Sequence, residues 1–198
     1  RHHPQGHRAE DPRGEMTALF VSDLHLDASR PAATDCFLRF LAGEARDAGD
    51  LYILGDLFEA WAGDDAAGPH EQSILAALRR YTGTGRHCLF LRGNRDFLVG
   101  ARFVAETGST LLPDEALVDL GGTRVLLMHG DTLCTDDVSY QRLRRIVRHP
   151  LVRWVFGRLG LAQRRAIAQR LRAGSRKHVG MTAPEIMDVN AAAVSQVF

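Results

Sequence analysis

The stretch "FVSDLHLD" (residues 20–27) leaves an apolar run and places a carboxylate, Asp23, and an imidazole, His25, two residues apart. Three further apolar runs end in polar residues of matching kinds. "DLYILGD" ends at Asp56, "HCLFLRGN" at Asn94 with Arg95 behind it, and "RVLLMHGD" carries His129. Two residues is the repeat of an extended strand, so Asp23 and His25 are expected to leave the chain on one side. Carboxylate oxygen, amide oxygen and neutral imidazole, with no thiolate, suit Mn²⁺, Fe²⁺ or Zn²⁺ better than Ca²⁺. Asp56 has two oxygens and can bridge a pair of cations. Two such ions about 3.5–4 Å apart can activate a shared water and neutralise a phosphoryl group under in-line attack.

Taken singly, each residue has a plainer explanation. An Asp at a strand end commonly shapes a turn or caps a helix, His129 could be a satisfied core histidine, and Asn94 could shape a turn. The order D-x-H, G-D, G-N-R-D and H-G, each after a hydrophobic run, selects a metal centre over four unrelated turns. Gly55, Gly93 and Gly130 adjoin these residues, where a missing side chain lets backbone turn tightly or approach a substrate.

The elements that must position this set follow from periodicity. The four apolar runs are short, nearly continuous and end at Gly, Asn or Asp, which is how strands buried on both faces read. Phe37, Leu38, Phe40 and Leu41 share one side of a helix over 34–46, and Ile74, Leu75, Leu78 and Tyr81 one side of a helix over 70–82. The order β-α-β-α-β predicts an α/β sheet with right-handed crossovers. The candidate ligands are 33, 38 and 35 residues apart (Asp23, Asp56, Asn94, His129), about one crossover each. Every strand should then deliver its ligand to the same carboxyl edge, where open α/β sheets place their sites. "ALVDLGGTRVLLMHGD" reads as a hairpin turning at Gly121–Gly122.

The character changes after Asp137. Residues 138–184 contain no Asp or Glu but eleven Arg and one Lys, about half of the 25 basic residues in a chain of net charge +1. Such a block favours an anionic partner. Leu143, Val147, Leu151, Trp154, Val155 and Phe156 lie among these arginines, and Pro150 should separate two helices. From Thr182, "TAPEIMDVNAAAV" predicts a helix opened by a Thr-x-x-Glu capping box. Cys36, Cys88 and Cys134 are odd in number and lack CxxC spacing, the pattern of a reduced compartment. No apolar run approaches the roughly 18 residues of a membrane span. Residues 1–15, almost free of apolar side chains, read as a tag or disordered leader, which leaves His2, His3 and His7 uninformative.

These motifs resemble those of the calcineurin-like metallophosphoesterases, over roughly Thr17 to Phe198. The long block "YILGDLFEAWAGDD" together with "LLMHGDTLCTDD" and "EIMDVN" resembles the branch that hydrolyses UDP-2,3-diacylglucosamine in lipid A synthesis. The resemblance implies a β-sandwich flanked by helices (four layers, αββα), with a core over 16–137, a helical lid over 138–181 and a return helix over 182–198. It implies two Mn²⁺, with Asp23 and His25 on one, Asn94 and His129 on the other, and Asp56 bridging. Arg95, Asp137 and Ser175 match substrate-contacting positions, and Asn94 would serve the substrate as well as the metal. Water would attack the α-phosphorus, releasing UMP and 2,3-diacylglucosamine 1-phosphate.

The family's last metal motif, Gly-His-x-His, is absent from the sequence, which is therefore expected to be part of a longer protein. The lid's apolar face would receive acyl chains while its arginines meet anionic lipid, on the cytoplasmic side of the bacterial inner membrane. No obligate protein partner is implied. Another phosphodiester substrate, or a non-catalytic scaffold, are the competing readings. Nucleic acid is disfavoured because no interleaved aromatic platform accompanies the arginines.

Overall fold

Strands β1 (Ala18–Val21), β2 (Asp50–Ile53), β3 (His87–Phe90) and β4 (Thr110–Leu111) form a parallel sheet in that order. The computed structural model describes residues 17–197, so the expected leader (1–15) lies outside the described residues. In register, Val21 faces Ile53, Ile53 faces Phe90 and Phe90 faces Leu111, so all four strands finish level. Three polar loops therefore start from one line at the carboxyl edge. Central β2 is buried along its whole length, as its apolar run predicts.

Helices α1 (Pro31–Ala42), α2 (Pro69–Thr82) and α3 (Ala101–Thr107) cover one face of the sheet. Phe37, Leu41, Ile74, Leu78 and Phe103 pack there against Leu51, Ile53 and Phe90. Both expected helices form, each started by a proline in its first turn and followed by a glycine, the asymmetry favoured at helix ends. Helix α3 was not foreseen. The other face meets an antiparallel hairpin, β5 (Glu115–Leu120) and β6 (Thr123–Met128), turned by Gly121 and Gly122, both at positive φ. Tyr52, Leu91, Ala116 and Leu127 form this second core.

The basic segment folds as α4 (Val138–Arg148), α5 (Pro150–Arg158) and α6 (Leu161–Met181). Pro150 makes the expected break, with His149 as the junction. The helix expected from Thr182 is instead two short ones, α7 (Pro184–Met187) and α8 (Ala191–Val197). Thr182 closes α6, its amide donating to the His178 carbonyl, and does not cap α7. Asn190 breaks the run because its side-chain oxygen accepts from the amides of Ala192 and Ala193, an N-cap that competes with continuation. No helix among the described residues is long and apolar enough to cross a membrane, and the three cysteines are free.

The arginine block finds acids through space rather than along the chain. Arg144 pairs with Asp131 at 2.8 Å, Arg148 with Asp114 at 2.5 Å, and Arg164 with Asp65. These arginines are anchors of the basic segment, and the freely presented charge is smaller than the sequence suggests.

Candidate metal centre

The site begins where the loops leave β1 and β2. Strand β1 ends at Val21, so Asp23 and His25 are not on a strand, and the two-residue repeat is not what brings them together. They are instead, with Asp56, the non-glycine residues at positive φ among the described residues: 54°, 47° and 52°. This left-handed conformation is unfavourable for a side chain and persists only where its surroundings impose it. Here a cross-loop ladder does so: the amides of Asp23, His25 and Leu26 donate to the carbonyls of Gly55, Asp56 and Leu57 at 3.2, 2.9 and 2.8 Å.

The ladder brings side chains into one cluster. His25 Nε2 lies 4.0 Å from Asp23 Oδ1 and 3.8 Å from Asp56 Oδ2. His129 Nε2 lies 3.8 Å from the other oxygen of Asp56. Its Nδ1 is 2.9 Å from the Leu54 carbonyl, which can only accept, so Nδ1 carries the hydrogen and Nε2 keeps its lone pair toward Asp56. His129 reaches this point from the second sheet: among the described residues β6 pairs with β5 alone, so the ligands come from two sheets and not from one edge. The interval from Asn94 to His129 correspondingly holds α3, β4, β5 and β6 instead of a single crossover.

The third loop is fastened to the second from below. Asp96, fully buried, accepts from the amides of Gly93 (2.8 Å), Leu57 (2.9 Å) and Asp56 (3.3 Å). Burial, and then the neighbouring Asp56 charge, push its carboxyl up to about 6. Asp56 Oδ1 accepts from the Arg95 amide at 2.8 Å. A Cβ on Gly93 would stand 2.0 Å from Asp56 Oδ1, and one on Gly55 2.6 Å from the Gly93 backbone, so these loops touch only because both residues are glycine. Asn94 is exposed and Arg95 half-buried on this loop, beside the carboxylate.

The set fits a cation. One donor atom from each of Asp23, His25 and Asp56 lies within 4.8 Å of the others. Metal bonds of about 2.0–2.2 Å put two donors on one ion at up to roughly 4.4 Å, which covers the 4.0 and 3.8 Å that separate His25 from Asp23 and Asp56. Burial pushes the Asp56 carboxyl above its usual range, against the opposing pull of His129, the Arg95 amide and His25. An almost solvent-free carboxylate between two imidazoles is a place where positive charge is favourable.

Asp137 and Ser175 belong to a different junction. Asp137 is the N-cap of α4, accepting from the Tyr140 amide (2.9 Å) and the Ser139 hydroxyl (2.8 Å), and its other oxygen lies 2.7 Å from His178 Nε2. Burial would raise its carboxyl, but these bonds outweigh that and hold it low. Ser175 precedes His178 by three residues on α6, hence on the same side of that helix. Sequence reasoning missed His178, and it missed Asp96, although the quoted motif G-N-R-D ends on it. It also missed the anchor between basic segment and ligand loop: Arg148 donates to the Gly93 carbonyl at 2.9 Å, while Asp131 receives the Tyr140 hydroxyl and Arg144 Nε, both at 2.8 Å.

A two-sheet α/β scaffold whose loops gather carboxylates and imidazoles around a shared aspartate defines a phosphoesterase of the metal-dependent kind. The chain belongs to the calcineurin-like phosphoesterase family, which matches it over residues 16–163, and it is a hydrolase. UDP-2,3-diacylglucosamine hydrolases from Escherichia coli O81 (strain ED1a) and Salmonella arizonae are each 53% identical to it over 179 residues. That of Shigella sonnei is 52% identical over the same length. Each alignment covers 90% of this chain and 75% of the relative.

Proposed function

We propose that this protein hydrolyses the diphosphate of UDP-2,3-diacylglucosamine, using two Mn²⁺, and releases UMP and 2,3-diacylglucosamine 1-phosphate. The observation that carries the reading is the division of Asp56 between two imidazoles, each 3.8 Å from a different oxygen. The names of the relatives support the substrate.

Asp23, His25 and Asp56 would hold one ion, and Asp56, Asn94 and His129 the other. Bound there, divalent cations supply Lewis acidity that favours ionisation of water and neutralises phosphoryl charge. The Asp96 clamp keeps the ligand loops in register. Water oxygen bonds to the α-phosphorus as the bond from that phosphorus to the bridging oxygen breaks, the electron pair leaves with the sugar phosphate, and the water's proton passes to solvent. That leaving group is a phosphate monoester with a second pKa of about 6, so it departs at neutral pH without a proton. A fixed positive charge suits it better than an acid, and Arg95, with no carboxylate partner among the described residues, would supply one from the loop whose amide reaches Asp56.

The basic segment extends the reading to the lipid. Leu151 is 61% and Trp154 56% exposed, Val155 and Leu143 are exposed as well, and Arg158 is stacked on Trp154 at 4.2 Å. This surface fits peripheral attachment to the anionic cytoplasmic leaflet of the inner membrane, and its apolar side chains fit acyl groups. The decisive assay is UMP release from UDP-2,3-diacylglucosamine with Mn²⁺ and after chelation. Release with Mn²⁺, absence of it after chelation and no turnover of a simple dinucleotide are expected. Activity on simple phosphate esters alone would select another phosphoesterase reaction.

A further inference from the structure

The two imidazoles of the centre are backed differently. Behind His129, Nδ1 meets the backbone carbonyl of Leu54 at 2.9 Å. Behind His25, Nδ1 is buried and makes no hydrogen bond among the described residues, and Glu59 Oε2 stands 3.4 Å away. Backbone geometry brings this carboxylate to the ring. The ladder that sets Asp23 and His25 continues as a parallel bridge between Leu26 and Phe58, and the Glu59 amide donates to the Leu26 carbonyl at 3.1 Å. Glu59 therefore sits across the ladder from His25, on the side of the ring away from the Asp23 and Asp56 oxygens that face Nε2.

We infer that Glu59 is the positioning residue for His25: its carboxylate accepts the Nδ1 hydrogen, fixes the ring's tautomer and keeps the Nε2 lone pair directed at the cation beside Asp23 and Asp56. The inference rests on the metal-centre reading above. A shift of about half an ångström with a turn of the carboxylate into line converts the 3.4 Å contact into a charge-assisted bond of about 2.7–2.9 Å, whereas an unmade bond leaves a buried donor unpaired. The partner is an anion, so the bond also makes the imidazole a better electron donor than one backed by a neutral carbonyl. The cation position of Asp23 and His25 is then the tighter of the two, and its advantage over the His129 position depends on a residue that touches no metal. Glu59 keeps 29% of its side chain exposed, so it can be replaced without opening a cavity in the core.

The test is Mn²⁺ binding to the full-length protein, followed by the electron spin resonance of free aqueous Mn²⁺, for Glu59→Ala, Glu59→Gln and a control, Asp23→Ala. Glu59→Ala should weaken the tighter binding event by 10- to 100-fold, a range typical of losing such an outer partner. Glu59→Gln, which keeps an acceptor but not the charge, should recover part of it, with metal-free melting temperatures unchanged in both. Nitrogen-15 spectra of the metal-free histidines should show His25 protonated on Nδ1 in the parent and mixed between tautomers in Glu59→Ala. Unaltered binding in Glu59→Ala with loss in Asp23→Ala would overturn the proposal alone. Unaltered binding in both would overturn the metal-centre reading itself. Equal loss in Gln and Ala together with a lowered metal-free melting temperature would make Glu59 structural only.

Discussion

Asp56 divides its carboxylate between two histidines that reach it from different sheets: Oδ2 faces His25 Nε2 and Oδ1 faces His129 Nε2, each at 3.8 Å. Burial pushes this carboxyl upward, so in the metal-free fold its charge is a liability. The sign follows from the raised value. A carboxyl that holds its proton more tightly when folded stabilises the fold at low pH and loses that contribution as pH rises above its unfolded value of 3.8. Cation binding should reverse this. Mn²⁺ at a hundred times its dissociation constant is expected to stabilise the protein by about 2.7 kcal/mol at neutral pH, and chelation to remove the gain. Asp56→Asn should abolish both the gain and hydrolysis while melting no lower than the chelated parent, which calorimetry with and without EDTA measures.

Asp96 carries a second pH signature. Its folded value of about 6 lies above the usual 3.8, so the metal-free protein should lose stability between pH 4 and 6 as this group ionises. Asp96→Asn cannot titrate and places an amide NH₂ against backbone donors that Asp96 now receives. The variant should be less stable by roughly 2 kcal/mol, the scale of unsatisfied buried groups. Its deficit should be largest near pH 4 and smaller by pH 7. Denaturant titrations of the chelated proteins at the two pH values give the comparison.

Arg95 should matter to turnover more than to binding. Arg95→Ala is expected to lower kcat by about 10²-fold, the size typical of losing one charge-stabilising group. Arg95→His, which offers a titrating proton in place of a permanent charge, should remain well below the parent at pH 8. Full activity of the His variant on the native substrate would remove the argument for a fixed charge.

Much of this architecture is legible in the sequence, and the illegible parts share a cause. Apolar runs announce β1 to β3, and Gly121–Gly122 announces the hairpin. Helix α3 stays hidden because it is seven residues long and its cap arrives from elsewhere: Asp64 accepts from the amides of Gly100, Arg102 and Phe103, all at 3.0 Å. Asp23 and His25 do act together, yet through left-handed backbone rather than a strand's alternation. The arginines have no acid within their own segment, and folding delivers Asp65, Asp114 and Asp131 to them. Glu59 finds His25 only through the ladder between loops. Local pattern reports what a residue's neighbours in sequence impose, and each of these depends on a partner at least 13 residues away or on a backbone angle.

Arg148 ties the basic segment to the ligand loop through the Gly93 carbonyl and to the core through Asp114. Arg148→Met removes both bonds, with the longer contacts to the Arg92 carbonyl and Asp131, and leaves Asp131 with Arg144 and Tyr140 as partners. A loss of about 1–3 kcal/mol is expected from the Gly93 carbonyl left without its donor, since Asp114 is exposed and keeps Arg144 at 3.4 Å. Hydrogen exchange should rise in α4 while β2 and β3 stay protected, since the core makes no use of these bonds. Because Gly93 lies beside Asp56, loosening the anchor should also raise KM for the acylated substrate more than it lowers kcat.

The exposed apolar ridge on α5 makes its own prediction about the surface it meets. Leu151 and Trp154 are 61% and 56% exposed, and burying such side chains is worth roughly 1.5–3 kcal/mol each. Sedimentation with vesicles containing anionic lipid should therefore capture the parent, and Leu151→Ser or Trp154→Ala should weaken capture by about tenfold or more. Neutral vesicles or raised salt should weaken it as well, because the guanidinium groups contribute only where the surface is negative and unscreened. Hydrolysis of a short-chain, water-soluble analogue should be unchanged in both variants, since neither residue adjoins the Asp56 cluster. If capture proves indifferent to lipid charge and to both substitutions, attachment through this ridge is wrong, and the ridge then serves acyl chains or another surface.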